Sequence, residues 1–267
     1  MPADTDPSLQ FDSIEDTIKA FKNGEFIIVL DSQDRENEGD LIIAADSITP
    51  AQMAFLVRFT RWDILSARYP HNSQLQLRSS HIPQSLTFLP RTSGLICAPV
   101  SPEIASRLSL PQMVLENADP KGTAYTISVD SSDPSVTTGI SAQDRALACR
   151  TLASPTAHAE DFRRPGHIIP LQARSGGVRE RRGHTEAAVE FCRLTGKVQV
   201  GVIAELVEDG ELVPGVPEIG GNNGMMRRDG CLKFGKKWGI KVCTIEDLVE
   251  YVEKTEGSSS VVTNGKQ

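Results

Sequence analysis

Short apolar runs alternate with amphipathic segments along most of the chain. Residues 26–30 (FIIVL) and 41–45 (LIIAA) are continuous apolar runs of strand length, so each predicts a buried strand. Before them, apolar residues recur at helical spacing between Ser13, a favourable N-cap, and Gly24, a favourable terminator. The N-terminal third of the chain therefore predicts both a helix and strands of a sheet.

The same alternation continues towards the C-terminus. A second helix is predicted to begin at Pro50, because proline is favoured at the first helical position. Further strands are predicted at residues 94–100, 123–129, 167–171, 198–206 and 240–243. Further helices are predicted to begin at the capping residues Ser101, Ser141, Thr185 and Thr244. This order favours helices layered on a sheet, but it leaves open whether the strands run parallel.

One segment, residues 61–92, departs from this pattern. It has weak periodicity and contains four Arg and one Asp but no Lys, Glu or Gly, which gives it a net charge of +3. Because the whole chain has a net charge of −7, the residues outside this segment carry −10. A long stretch without secondary structure is uncommon inside a compact domain.

Composition excludes several classes of protein. The chain has 267 residues and a net charge of −7, which argues against binding nucleic acid through bulk charge. It has no apolar run long enough to span a bilayer and no apolar or basic targeting segment at its start. Its five cysteines form no CxxC pair, which favours a reducing compartment over a disulfide framework. We therefore expect a globular enzyme with polar tails at residues 1–11 and 255–267.

The loop between the first two predicted strands is strongly acidic. Residues 31–40 (DSQDRENEGD) contain five carboxylates, which repel each other unless a cation compensates them. A ligand set dominated by carboxylate oxygens suits Mg²⁺ or Mn²⁺. The simpler interpretation is a solvated acidic turn, but the flanking strands fix the ends of the loop, as they do in many functional loops.

A basic segment, residues 179–186 (RERRGHTE), precedes a predicted helix that Thr185 can cap. Free N–H groups at the start of a helix, together with Arg181 and Arg182, would form a phosphate site. His184 lies at the entrance of that site and could bind a metal or move a proton. The alternative is a basic surface cluster with a capping turn.

Three other positions could have functional roles. His167 opens a predicted strand and is either structural or catalytic. Residues 137–145 (TTGISAQDR) form either a turn with a capping box or a second set of phosphate donors. Glu205 stands in an apolar strand, so it would be a base with a raised pKa if it faces inward. The GGNNG sequence at residues 220–224 lacks the context of a dinucleotide fingerprint and predicts a flexible loop.

Seven motifs, in this order and spacing, resemble the 3,4-dihydroxy-2-butanone 4-phosphate synthase family: DRENEGDLI, GTAYTISVD, TTGISAQDR, RPGHIIPL, GHTEAAVEF, GVIAEL and TIEDLVEY. The resemblance extends from about Ser13 to Glu253, apart from residues 61–92. It implies an α+β fold with a mixed sheet flanked by helices, in one domain over residues 12–254. It also implies the stand-alone form, without a fused GTP cyclohydrolase II domain.

The resemblance implies a lyase of riboflavin biosynthesis. Such an enzyme converts D-ribulose 5-phosphate to L-3,4-dihydroxy-2-butanone 4-phosphate and formate by skeletal rearrangement. Two Mg²⁺ or Mn²⁺ ions per site would stabilise the enediolate as Lewis acids. The resemblance further implies a cytoplasmic homodimer with sites at the subunit interface, which binds neither nucleic acid nor membrane.

The resemblance also implies roles for individual residues. Glu36 and His184 would hold the metals, and the catalytic residues would be His167, Glu205, Asp40 and Glu38. The substrate would contact Arg35, Glu36, Asp40, Cys97, Thr138, Arg181, Arg182, Gly183, His184 and Thr185. Arg182 stands where the family usually has glycine, which reduces backbone freedom at that position.

The family pattern also bears on residues 61–92. Relatives continue from the MAFLVR helix into a short turn that ends SGLICAPV, and removing residues 61–92 leaves AFLVRFTSGLICAPV without a gap. The flanking codons can be written as a splice donor and acceptor, and the excised length keeps the reading frame. We therefore predict that residues 61–92 are a translated retained intron; the alternative is a genuine lineage-specific loop.

Two other functions remain open at the level of the sequence. The chain could be another Mg²⁺-dependent sugar-phosphate isomerase or phosphatase. It could also be a catalytically impaired isoform, with residues 61–92 inserted, that acts only as a binding or dimerisation partner.

Overall fold

The computed structural model describes residues 9–59, 95–208, 210–216, 218–221 and 224–257. The predicted insertion at 61–92 lies outside the described residues, as do residues 1–8 and 258–267 of the predicted tails. Leu9 is buried in the core, and Arg228 donates a hydrogen bond to its carbonyl oxygen at 2.9 Å. The folded part therefore includes residues 9–11, which the sequence assigned to a flexible tail.

The core of the molecule is a mixed seven-stranded sheet, as expected. Its strands are β1 (Ile27–Leu30), β2 (Gly39–Ala44), β3 (Cys97–Val100), β4 (Val129–Ser131), β5 (Phe162–Gln172), β6 (Gly201–Glu205) and β9 (Lys241–Thr244). They lie in the order β4-β5-β3-β6-β2-β1-β9. The β1–β9 and β3–β5 pairs are parallel, and the other neighbouring pairs are antiparallel. A separate hairpin joins β7 (Glu211–Leu212) and β8 (Ile219–Gly220).

Helices cover both faces of this sheet. They are α1 (Ile14–Lys22), α2 (Pro50–Phe59), α3 (Pro102–Arg107), α4 (Ala142–Leu152), α5 (His184–Leu194), α6 (Arg228–Trp238) and α7 (Ile245–Glu256). Apolar side chains of α1, α5 and α7 pack with Ile27 and Val29 of β1, whereas those of α2, α3, α4 and α6 pack with Ile28 and Leu30. Alternate residues of a strand point to opposite faces, so the continuous apolar runs correspond to strands buried on both sides.

The structure confirms several of the predicted helix starts. The side chains of Ser13, Ser101, Ser141 and Thr244 cap α1, α3, α4 and α7 as predicted. Pro50 is the first residue of α2.

Other boundary predictions are wrong. Thr185 is not an N-cap, because α5 begins one residue earlier at His184 and Gly183 occupies the cap position. The strand predicted at 123–129 is limited to Val129–Ser131, and the residues before it form only isolated bridges. The sequence also gave no indication of α6, whose glycines weaken the helical pattern.

The helices within the described part of the chain are too short or too polar to cross a membrane.

Candidate active site

Two carboxylates lie side by side where β2 and β6 pair. Asp40 is directly opposite Glu205 in the antiparallel register, and Ile42 is opposite Ile203 two residues further along. Both isoleucines pack into the layer that contains α5, so the alternation of side chains directs Asp40 and Glu205 to the same face. The sheet therefore brings two predicted site residues together, although they are far apart in sequence.

Asp31 organises the acidic loop between β1 and β2. Its carboxylate accepts hydrogen bonds from the backbone N–H of Glu36 at 3.2 Å and of Glu38 at 2.8 Å. It also accepts a bond at 2.7 Å from Arg35 Nη1, which contacts Glu36 as well. Asn37 adopts a left-handed φ of 56°, which asparagine tolerates better than most residues. The loop is therefore folded back on Asp31, rather than being a loose solvated turn.

Two basic residues hold this loop from outside. Lys121 Nζ donates a hydrogen bond to the carbonyl oxygen of Arg35 at 2.7 Å. Arg227 donates to the carbonyl oxygens of Glu36 and Asn37, the latter at 2.7 Å. The sequence analysis identified neither cation, because each comes from a distant segment and only the fold places it at the loop.

His184, the first residue of α5, lies over the carboxylates. Its Nδ1 atom is 3.6 Å from Asp40 Oδ1. Within the described residues, Asp40 Oδ1 and His184 Nε2 are buried atoms without a hydrogen-bond partner. Ligand atoms of Asp31, Glu36 and His184 lie within 4.8 Å of one another. The two predicted metal ligands therefore meet, and Asp31 is a third candidate that the sequence placed in the loop without assigning it.

The electrostatics of this cluster favour neutral forms in the absence of a cation. Burial raises the pKa of Asp40 well above its usual value, and the nearby charges of Glu205, Glu36, Asp31 and Glu38 raise it further. Burial and neighbouring carboxylates also raise the pKa values of Glu38 and of Glu205, which remains partly exposed. Burial lowers the pKa of His184 to about 4. A nearby cation would offset these effects and favour the ionised carboxylates.

These residues fit a divalent cation. The cluster offers carboxylate oxygens and a neutral imidazole, a ligand set found with Mg²⁺ and Mn²⁺. Buried polar atoms usually have a partner, and two atoms of this cluster have none within the described residues. A bound cation and its waters would satisfy them.

Cys97 and Tyr125 border the cluster. Burial raises the pKa of the Cys97 thiol, and the charges of Asp40 and Glu205 contribute to the increase. The pKa of Tyr125 is raised by burial and then by Cys97, Glu205 and other acidic groups. The structure thus places Cys97 beside the acidic residues. Tyr125 is part of the GTAYTISVD motif, but the sequence analysis gave it no role.

The predicted phosphate-binding segment is divided in the structure. Arg181 turns inward and donates to Glu186 at 2.6 Å, to Thr123 Oγ1 at 2.9 Å and to the carbonyl oxygen of Lys121 at 3.1 Å. Arg182 turns outward and lies 3.9 Å from Glu246.

Gly183 and Thr185 flank His184 at the start of α5, where both are buried. A side chain at Gly183 would collide with Arg181, because a Cβ atom would lie 2.2 Å from Nη1. The glycine therefore allows the arginine to pack against the helix start.

His167 and Thr138 belong to another group of residues. His167 Nδ1 lies 2.8 Å from Asp130 Oδ2, and its backbone N–H donates to Asp130 Oδ1 at 2.9 Å. Thr138 is exposed in the loop beside this pair. Among the described residues, no hydrogen bond or ion pair joins His167 to the acidic cluster. The structure therefore does not unite all the predicted catalytic residues through direct contacts.

Comparisons with known proteins identify the family. The model of 3,4-dihydroxy-2-butanone 4-phosphate synthase matches residues 15–81 and 79–251. A protein of that name from Pyricularia oryzae is 54% identical over 266 residues, which cover 99% of each chain. Its namesake from Saccharomyces cerevisiae is 41% identical over 250 residues, covering 91% of this chain and all of the relative.

Solved structures agree with these relatives. The crystal structure of a 3,4-dihydroxy-2-butanone 4-phosphate synthase in complex with two magnesium ions superposes with a TM-score of 0.78 at 55% identity. The match covers 92% of this chain and 99% of that one. Fold and site define a single-domain α+β protein with a carboxylate–histidine centre. More specifically, the chain belongs to the 3,4-dihydroxy-2-butanone 4-phosphate synthase family.

Proposed function

We propose that this chain converts D-ribulose 5-phosphate to L-3,4-dihydroxy-2-butanone 4-phosphate and formate, as a lyase of riboflavin biosynthesis. The observation that carries this proposal is the convergence of Asp31, Glu36, Asp40 and His184 at the ends of β1, β2 and α5 in a chain of this family. A centre of this kind suits a reaction that develops negative charge on sugar oxygens.

We assign the metal ligands to Glu36 and His184, with Asp31 close enough to contribute. The related structure that contains two magnesium ions supports Mg²⁺, and two ions per site, with Mn²⁺ as an alternative. When bound, such a cation would supply Lewis-acid stabilisation of negative charge on the substrate. His184 is suited to this task because its lowered pKa keeps the imidazole neutral at physiological pH.

Asp40, Glu38 and Glu205 are assigned to proton transfer. Their pKa values are raised towards neutral pH, and a group whose pKa lies near the working pH can both accept and release a proton efficiently. Arg35 contacts Asp31 and Glu36, so its role in substrate binding includes positioning the acidic loop. Cys97 is assigned to the wall of the site beside Asp40 and Glu205, and its raised pKa keeps the thiol protonated there.

The substrate phosphate is assigned to the start of α5. His184 and Thr185 present the first N–H groups of that helix, which favour an anion, whereas the N–H of Gly183 donates to the carbonyl oxygen of Arg181 at 2.9 Å. Arg181 borders this position but is already paired with Glu186. Arg182 would have to turn away from Glu246 to contribute, and its exposed side chain can do so.

His167 and Thr138 fit a homodimer in which the site lies at the subunit interface. They do not contact the acidic cluster, so a partner subunit is a natural way to complete the site. Contiguous exposed apolar residues, Met113, Val114 and Leu115, support such an interface because monomers seldom expose them together.

We further propose that residues 12–254 form the catalytic domain, interrupted by residues 61–92 as a retained intron. The family match supports an interruption, because the model matches in two segments, residues 15–81 and 79–251, that overlap at residues 79–81 within this stretch. We also propose a cytoplasmic location, which the five unpaired and buried cysteines support.

The test is a product analysis with purified protein, ribulose 5-phosphate and Mg²⁺. The lyase releases formate in equal amount to a four-carbon phosphate, whereas an isomerase releases no formate and a phosphatase releases inorganic phosphate. Formate that depends on the metal and disappears with EDTA is expected. Isomer or free phosphate in place of formate, from a folded protein lacking residues 61–92, would contradict the proposal.

A further inference from the structure

The contacts of His167 define a second polar centre on the sheet. Asp130 is the middle residue of β4, at the irregularity in its pairing with β5, and both of its carboxylate oxygens face His167. One oxygen accepts the backbone N–H of His167 at 2.9 Å, and the other lies 2.8 Å from the ring atom Nδ1. Asp130 is buried, whereas the side chain of His167 is 39% exposed. The aspartate therefore fixes the histidine from behind and leaves the rest of the ring open.

A tight loop closes over this pair. Gly139 has a φ of 86°, and a Cβ atom there would lie 2.0 Å from Asp130 Oδ2 and 2.7 Å from His167 Nδ1. The loop is fixed by Asp144 of α4, which accepts hydrogen bonds from Thr137 Oγ1 at 2.8 Å and from the N–H of Gly139 at 3.1 Å. The absence of a side chain at Gly139 thus allows the backbone to shield the Asp130–His167 contact.

One cationic side chain lies near the pair. Arg145 of α4 is close enough to interact electrostatically with Asp130. The neighbouring Asp144 is occupied by the loop contacts, and Arg164 of β5 donates instead to the carbonyl oxygens of Ala159 and Leu108. An ionised carboxylate can only accept hydrogen bonds, so Nδ1 of His167 must carry the proton. The free Nε2 atom then has a lone pair when the ring is neutral.

We propose that Asp130 is a positioning residue that prepares His167 as a general base with a free Nε2. This inference rests on the proposed function, in which His167 is a catalytic residue of a site completed at the subunit interface. In the proton-transfer step, Nε2 forms a new N–H bond as a substrate C–H or O–H bond breaks, and the electron pair stays on the substrate. Asp130 stabilises the resulting imidazolium through its hydrogen bond and does not itself take the proton.

The first test is a spectroscopic one on the unmodified protein. ¹⁵N NMR of imidazole-labelled protein, assigned with a His167→Ala variant, distinguishes a protonated Nδ1 from a protonated Nε2. The proposal predicts a protonated Nδ1 and a free Nε2 in the neutral ring. A protonated Nε2 would overturn it, and this result does not depend on activity or on the stability of any Asp130 variant.

The second test compares Asp130→Asn with Asp133→Asn, a matched control. Asp133 lies three residues away and is exposed, and among the described residues its carboxylate hydrogen-bonds only to Ser135. Asp130→Asn should remove the carboxylate partner of Nδ1, alter the pH–rate profile and reduce kcat by roughly 10²–10⁴-fold with little change in KM. Asp133→Asn should change none of these.

His167→Ala and the double variant separate the two possible failures. If His167→Ala keeps full activity, the proposed catalytic role of His167 is wrong. If His167→Ala is impaired while folded Asp130→Asn keeps the wild-type profile, only the positioning role is wrong. The proposal expects the double variant to be no worse than His167→Ala, because Asp130 acts through that histidine.

Discussion

Burial of charged side chains determines the chemistry of the acidic cluster at the scale of single residues. Asp40 is held beside Glu205 by the strand register and beside His184 by the start of α5. Burial, and next the charges of Glu205 and other nearby carboxylates, raise the pKa of Asp40 well above 3.8. Metal binding and proton binding must therefore compete at this site.

This competition predicts that Mg²⁺ affinity increases with pH. Between the ordinary and the raised pKa values of Asp40, Glu38 and Glu205, the native metal-free protein holds protons that a cation must displace. Above pH 4 a cation need not displace a proton from His184, because the lowered pKa leaves the imidazole neutral. Calorimetric titrations in buffers of different ionisation enthalpy should detect proton release, and Asp40→Asn should reduce it.

The same shift has a consequence for stability. In this pH range the native state holds more protons on Asp40 than the unfolded chain does, so the contribution of Asp40 to the unfolding free energy falls as pH rises.

An affinity for Mg²⁺ that is independent of pH, with no protons released, would contradict the assignment of these pKa shifts.

Glu36 and His184 provide the next residue-scale prediction. Glu36→Ala or His184→Ala removes one proposed metal ligand, so turnover should fall by about 100-fold or more while the fold is kept. Asp34→Ala is the control, because Asp34 is an exposed acid in the same loop and is absent from the ligand cluster. Circular dichroism and steady-state turnover check the prediction, and retained activity in either ligand variant would refute the assignment.

Sequence motifs indicate the proposed metal ligands but not the contacts that support them. Glu36 and His184 stand in motifs with strong chemical character, so both are predicted as ligands. The roles of Asp31 and Lys121 depend on the conformation of a loop and on the approach of a remote segment. Such contacts carry no periodic or local signal in the sequence.

At the scale of secondary structure, apolar runs and caps proved informative. β1 and β2 are buried on both faces, which their unbroken apolar sequences indicated. α6 was missed because Gly235, which weakens a helix, is required for close packing: a Cβ atom there would lie 2.3 Å from Val242 Cγ2. Tertiary packing overrode local propensity at that position.

Gly166 lets β5 approach β4 closely just before His167. A Cβ atom at this position would lie 2.0 Å from the backbone carbon of Val129, which no side-chain rotation can relieve. Gly166→Ala should therefore lower the unfolding free energy by about 3 kcal/mol and displace His167 from Asp130. Chemical denaturation measures the loss.

Gly196→Ala is the comparison for this prediction. Gly196 has a φ of 70° and open space around it, so alanine should cost only about 1 kcal/mol of conformational strain. Equal effects of the two substitutions would show that the close approach of β4 and β5 is not what requires Gly166.

At the scale of the whole molecule, residues 61–92 are the proposed departure from the family pattern. If they are a retained intron, a chain without them should fold and turn over at least as well as the full chain. Thermal denaturation and formate release on both forms provide the comparison. Loss of folding in the shortened chain, or transcripts that always contain the 96 nucleotides, would show that the segment belongs to the protein.

The central claim is that this chain removes C4 of ribulose 5-phosphate as formate. Its most direct test supplies ribulose 5-phosphate labelled with ¹³C at C4 to the chain lacking residues 61–92, with Mg²⁺, and follows the products by NMR. The account predicts labelled formate and an equal amount of unlabelled four-carbon phosphate. Label retained in a five-carbon phosphate, or no reaction by the folded protein, would contradict it.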